Sequence, residues 1–149
     1  MKISSGFDAS ASALTAQRLR MDVISSNIAN AETTRAGYEN GQFVPYKRKM
    51  VVLEPLKSSF SNALNAKMGK STTTGGVKVA KIIDDTAPTK LVYNPTHPDA
   101  DSNGYVNMPN VDVAKEMVDM ISASRSYEAN VTAINSSKAM FVKALEIGK

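Results

Sequence analysis

Apolar residues recur at helical spacing at the two ends of the chain and at strand spacing between them. Steps of four and three from Val113 reach Met117, Met120, Ser124, Tyr127, Val131, Ile134, Lys138, Phe141 and Leu145, and eight of these ten positions are apolar or aromatic. A seam with a mean spacing of about 3.5 residues, sustained this long, predicts a long helix in coiled-coil packing. Asn110 or Asp112 is placed to cap its start, since a short polar side chain can accept from the unpaired N–H groups of the first turn. Pro109 lies just before, and Gly148 just past, where a left-handed stop is needed. Residues 111–147 would form a helix ~55 Å long.

The N-terminal segment repeats the period. Phe7, Leu14, Met21 and Ile28 recur every seven residues, with Ser10, Gln17, Ile24 and Ala31 as a weaker companion set. Ala9, Ala11, Ser12, Ala13 and Ala16 are small enough to let another helix approach closely. The segment from about Ser5 to Ala31 predicts a helix ~40 Å long. The helix-weakening pair Thr33-Thr34 and then Gly37 follow it.

Between the two segments the pattern changes. Gln42 to Glu54 is rich in aromatic and β-branched residues, with Pro45 marking an edge strand or a bend. Val77 to Ile82 alternates apolar and polar, the period of a half-buried strand. Ser58 to Gly76 is rich in Ser, Thr, Asn and Gly, and its Ser71–Gly76 run reads as a flexible loop or hairpin tip. Asn94 to Pro109 holds three prolines and a glycine and reads as a structured loop at best. The expected fold is mainly α: long N- and C-terminal helices pairing as a coiled coil, with a small β-rich or irregular middle insert. The expected divisions are 1–37, 38–109 and 110–149. Two helices alone cannot cover both flanks of their own apolar seams, so the pattern points to assembly with further copies or relatives.

Composition narrows the function. The chain has 149 residues, a length suited to one domain or one domain with an extension. It has no Cys, which removes disulfides, thiolate metal sites and Cys nucleophiles. Its single His, His97, removes multi-His zinc or iron sites. The start, MKISSGFDASASAL, lacks the apolar stretch of a cleaved secretory signal, so export would need a route that reads no such signal. The longest strongly apolar run is Met50–Leu53, so no membrane-spanning helix is expected. The net charge of +4 arises in the middle, where residues 41–90 carry nine basic and three acidic groups.

Candidate chemistry is sparse. Asp99-Ala100-Asp101-Ser102-Asn103-Gly104 matches the opening of a calcium loop, whose alternate oxygen ligands and Gly turn suit a hard cation. The match fails at its twelfth position, Asn110, where a bidentate Glu is needed, and an Asp/Asn/Gly turn is the plainer reading. His97 has no nearby nucleophile and reads as a loop residue making local hydrogen bonds. Lys47-Arg48-Lys49 with Phe43 and Tyr46 resembles a short nucleic-acid patch, but it also reads as a solvated sheet edge. On a strand Asp84 and Asp85 would point to opposite faces and form no acid/base pair, and a turn after the Val77 strand is expected instead. No phosphate loop, nucleophile elbow or triad is present, and no enzymatic activity, cofactor, metal or nucleic-acid partner is expected. Asn27 and Asn30 fit either fraying near a helix end or a buried polar device that sets helix register.

Two stretches carry a family resemblance. Leu14-Thr15-Ala16-Gln17 through Ser26-Asn27-Ile28-Ala29-Asn30-Ala31-Glu32-Thr33-Thr34 resembles the N-terminal signature of bacterial flagellar rod and hook proteins. Position 32 is Glu where many members carry Asn. Met117 to Lys149, with Arg125-Ser126-Tyr127-Glu128-Ala129-Asn130, resembles the C-terminal helix of that family. Within it, His97-Pro98-Asp99-Ala100-Asp101, Gly104-Tyr105-Val106 and Pro109-Asn110-Val111 resemble the proximal-rod branch more than other rod or hook subunits.

The resemblance implies a structural subunit of the basal-body rod, the drive shaft between motor and hook. Its partners would be copies of itself and other rod proteins, stacked helically with the terminal helices innermost. It would be exported unfolded through the flagellar type III apparatus, without a cleaved signal. Gln17, Asn27, Ile28, Ala29 and Asn30 would form the rod motif. Phe7, Leu14, Met21 and Ile28 would line one assembly seam. Met117, Met120, Tyr127, Val131, Ile134, Phe141 and Leu145 would line the other. The Asp99 loop would then need no metal.

Overall fold

The computed structural model describes residues 3–39, 41–56, 64, 67–68 and 75–147. In chain order these form helix α1 (Ile3–Ala29), strands β1 (Gly37–Glu39), β2 (Gln42–Val44), β3 (Lys49–Pro55), β4 (Val77–Asp84), β5 (Lys90–Tyr93) and β6 (Tyr105–Met108), and helix α2 (Val113–Ile147). Two terminal helices thus flank a small strand-containing middle region. No described helix is long and apolar enough to cross a membrane.

The start of α2 and the end of α1 have local causes. At α2 the cap is Asp112: its Oδ1 accepts from the N–H groups of Ala114 (3.0 Å) and Lys115 (3.3 Å), and its carbonyl accepts from Glu116 N–H (2.9 Å). Asn110, the other capping candidate, is engaged elsewhere, accepting from Arg48 N–H (3.1 Å) and donating to the Ala87 carbonyl (3.2 Å). Gly148 lies outside the described residues. Helix α1 ends by tightening: Asn30 N–H bonds back to Ser26, whereas Ala31 and Thr33 bond only three residues back, to Ile28 and Asn30.

The strands form three two-stranded sheets, β1–β2, β3–β4 and β5–β6. β1 and β2 pair antiparallel, Tyr38 facing Phe43 across the hairpin. Pro45 ends β2, because proline has no N–H to give a ladder, and the chain re-enters a strand only at Lys49. β4 begins at Val77 as its alternation predicts. The alternation then slips: Ala80, Lys81 and Ile82 are all exposed, and Ile83 rather than Ile82 turns inward.

The structured loop expected over Asn94–Pro109 is corrected by the structure, since the stretch contains β6. This strand pairs antiparallel with β5, setting Lys90 opposite Met108 and Tyr93 opposite Tyr105. Its four residues lie between a glycine and a proline, too short a run for the pattern to stand out. Tertiary packing holds it in place, because Val106 is only 2% exposed. Gly104, at φ +79°, makes the preceding turn in a region that disfavours side chains. Of the Ser71–Gly76 run, Ser71–Thr74 lies outside the described residues.

The chain divides into two compact units. The first comprises Met1–Leu19, Val52–Lys81 and Ala123–Lys149, and the second Arg20–Val51 and Ile82–Ser122. Among the described residues, the first unit fully buries only the small apolar residues Ala16 and Ala123. In it, Ser12 Oγ accepts from Val77 N–H (3.1 Å), and Leu56 N–H donates to the Gly76 carbonyl (3.1 Å). Gly76 sits at φ +80°, where an added Cβ would lie 2.4 Å from Ser12 Oγ. The second unit holds the larger core: Val23, Ile24, Tyr46 and Val106, with the polar residues Asn27 and Glu116 buried beside them.

Candidate assembly site

A buried polar hub occupies the second unit. Asn27, near the end of α1 and 1% exposed, donates through Nδ2 to the Lys49 carbonyl (2.9 Å) and to Glu116 Oε2 (3.0 Å). Its Oδ1 accepts from Lys49 N–H (2.9 Å) and the Tyr46 hydroxyl (3.0 Å). The amide therefore grips both main-chain groups of Lys49, as a neighbouring strand would, and is fully satisfied. Glu116, in the first turn of α2, is also 1% exposed. Its Oε1 accepts from Arg48 Nε (2.7 Å) and Nη2 (2.6 Å), so each carboxylate oxygen has a partner.

Arg48 is the cation at the centre of this hub. Besides Glu116 it approaches Asp85 (3.6 Å) and Asp119 (3.8 Å), and Arg20 approaches Asp119 from α1 (3.8 Å). Burial opposes the Arg48 charge. Hydrogen bonding and attraction from Glu116, reinforced by Asp85, more than offset it and raise the guanidinium pKa above its ordinary value. The nucleic-acid and solvated-edge readings of Lys47-Arg48-Lys49 therefore fail at their middle residue. Its neighbours stay exposed, but Arg48 turns inward onto carboxylates.

A second polar clasp holds the Asp99 loop. Asp99 Oδ1 accepts from Arg35 Nε (2.6 Å) and pairs with Arg35 Nη2, while Oδ2 accepts from the Thr34 hydroxyl (2.7 Å). The Arg35 bond, then that of Thr34, hold the Asp99 carboxyl below the usual carboxylate range, and the Arg35 pKa is raised in turn by the same hydrogen bond. A guanidinium thus stands where the calcium reading requires a cation. Asp101 Oδ1 accepts from Ser102 N–H (2.6 Å), the bland turn geometry. His97 Nδ1 accepts from Asp99 N–H (3.1 Å), a local bond of the expected kind. Asp84 ends β4, and Asp85 Oδ1 accepts from Ala87 N–H (2.9 Å) in the expected turn. No group of three or more potential metal ligands occurs among the described residues.

The rod-motif residues separate by environment. Asn27 is the buried device and Asn30 the helix-end residue, its Nδ2 donating to the Ser26 carbonyl (2.9 Å). Ile28 is half-buried and Ala29 exposed. Gln17, in the first unit, keeps a buried Oε1 with no hydrogen-bond partner among the described residues.

None of the eleven seam residues is fully buried within the chain. Leu14, Met21, Ile28, Met120, Tyr127, Val131 and Ile134 are half-buried. Phe7 (41%), Met117 (55%), Phe141 (38%) and Leu145 (74%) are exposed. Phe7, Phe141 and Leu145 meet in the first unit, lining with Asp8, Lys138 and Val142 an apolar groove of about 360 Å³. Beyond Ala123 no described residue of α2 is fully buried, and Met140 (62%) and Val142 (47%) are exposed as well. Spacing found the helices but not the hub. The partners Tyr46, Arg48 and Glu116 carry no local signal beyond the inward phase of Arg48 between two outward lysines.

Two family descriptions match the chain: "Flagella basal body rod protein" over residues 7–36 and "Flagellar basal body rod FlgEFG protein C-terminal" over residues 102–147. The chain is similar to the flagellar basal-body rod protein FlgC of Bacillus subtilis, with 62% identity over 94% of each chain. It is 49% identical to the FlgC of an Escherichia coli strain over 96% of each, and 46% identical to that of Yersinia enterocolitica over the full length of both.

Proposed function

Since this chain belongs to the FlgC family of flagellar basal-body rod proteins, it is a structural, non-enzymatic subunit of the rod, and we propose how it assembles there. The observation that carries the reading is the apolar surface left open along α2, from Met117 to Leu145. Its exposed side chains fall in two groups, Met117, Val118 and Ile121 near the start and Met140, Phe141, Val142 and Leu145 near the end, and exposed apolar clusters mark interaction sites.

The terminal segments, 1–37 and 110–149, form the axial core: the N- and C-terminal helices pair as a coiled coil and pack laterally against neighbouring rod subunits. Residues 38–109 form the middle segment, which faces outward or meets an adjacent subunit. Phe7, Leu14, Met21 and Ile28 supply one seam. Met117, Met120, Tyr127, Val131, Ile134, Phe141 and Leu145 supply the other. Each contributes ~1.5–3 kcal/mol when fully buried. The subunit takes its place in the proximal part of the rod beside other rod proteins and its own copies. It arrives there through the flagellar type III export apparatus.

Mass spectrometry of purified hook–basal bodies tests this reading. The wild-type chain is expected there in several copies per particle. Ile134→Asp is expected to remove it and to abolish motility, because an unpaired charge at a buried seam is costly. Normal motility of that variant would refute the seam, and absence of the wild-type chain from rod-containing particles would refute the assembly.

A further inference from the structure

Charge is partitioned sharply between the two units. The first carries eleven basic and four acidic residues, the second seven basic and ten acidic. One region of the chain is therefore complementary to another region of a further copy. Such a contact joins two different surfaces, so it can repeat from copy to copy.

The second unit also holds a receptive cleft. A cavity of about 390 Å³ between the β1–β2 and β5–β6 hairpins is lined by Gln42, Phe43, Asp99, Asp101, Tyr105 and Asn107, among others. Phe43 (57%) and Tyr105 (46%) leave much of their surface open to solvent. Aromatic faces attract cations, and a neighbouring carboxylate adds to that attraction. The chain already uses this chemistry once: Arg35 lies 4.8 Å from the Phe43 ring centroid while bonded to Asp99. Asp101, on the same cleft, has no basic partner among the described residues.

The first unit presents a matching cation. Lys81 on β4 is exposed and has no acidic partner among the described residues, whereas Lys78 is paired with Glu54 at 3.8 Å. Lys81 is flanked by exposed Ala80 and Ile82, the latter 46% exposed, at the point where the strand alternation slips. A lysine between two outward apolar residues suits a cleft of aromatic rings and a carboxylate. We propose that the cleft between the β1–β2 and β5–β6 hairpins receives Lys81 and its apolar neighbours from strand β4 of a second copy of the chain. This rests on the rod-subunit reading and adds the surface through which copies meet.

The absence of native cysteine makes cross-linking clean. Cells would produce two full-length versions together, Lys81→Cys and Asp101→Cys, and their hook–basal bodies would be treated with a short bismaleimide. A cross-linked dimer is expected from these particles and not from cells producing either version alone. Incorporation of both versions without a dimer would overturn the proposal and leave the rod reading standing. Absence of the wild-type chain from the particles would instead defeat the rod reading. Charge exchange gives an independent readout. Lys81→Asp is expected to cause loss of motility and Asp101→Lys in the same chain to restore it. Unchanged motility in the first variant, or no restoration in the second, would overturn the contact.

Discussion

Asn27 makes four hydrogen bonds with one amide, to three residues that all lie on segments distant in sequence from it. Removing it leaves the Lys49 main chain and a Glu116 oxygen unpaired in a buried site. Asn27→Ala is therefore expected to lower the stability of the full-length chain by about 2–3 kcal/mol, within the range for orphaned buried polar groups. Urea denaturation followed by circular dichroism reads this directly, and an unchanged midpoint would contradict the hub. Asp99 gives a prediction of different kind. Its pKa falls on folding from the ordinary 3.8, so the clasp with Thr34 and Arg35 stabilises the fold above that value. The contribution is lost as pH falls through the lowered, folded value. Melting temperatures of wild type and Asp99→Asn should differ at neutral pH and converge in strong acid. A gap that persists at the acid end would place the clasp's stabilisation elsewhere. Asn27 and Asn30 also show where sequence reading stops. They are the same residue type three positions apart in one motif, yet one is buried in a network and the other finishes a helix.

At the scale of elements, the helices were legible because each repeats its signal many times. Ten positions in register leave little room for another reading of α2, whereas β6 has four residues and owes its strand to β5 alongside it. The join between α1 and the β4 strand depends on Gly76, which was legible only as part of a loop-like run. Its positive φ and the 2.4 Å approach to Ser12 Oγ leave no place for a side chain. Gly76→Ala is expected to cost more than ~1 kcal/mol, since alanine at a positive φ is destabilising even without a clash. A thermal melt of that variant matching wild type would show that the contact between Ser12 and Gly76 can shift.

For the molecule as a whole, the contrast is between one unit that buries a satisfied polar hub and another whose stretch of α2, from Ala123 on, leaves apolar side chains open. Leu145, 74% exposed, separates stability from assembly. Leu145→Asp should leave the stability of the isolated chain within ~0.5 kcal/mol, as surface substitutions do, while removing it from hook–basal bodies. A variant that incorporates normally would take Leu145 out of the seam. The terminal helices, the small strand-containing middle and the family were determined by the sequence itself, because periodicity and contiguous motifs are properties of neighbouring residues. Tertiary structure alone decided that Asp112 rather than Asn110 caps α2, that Arg48 turns onto Glu116, and that Asp99 binds Arg35. Each of those outcomes depends on which groups from distant segments reach hydrogen-bonding distance. A buried carboxylate or amide is tolerated only where such a partner arrives, and the order of residues along the chain does not record that arrival.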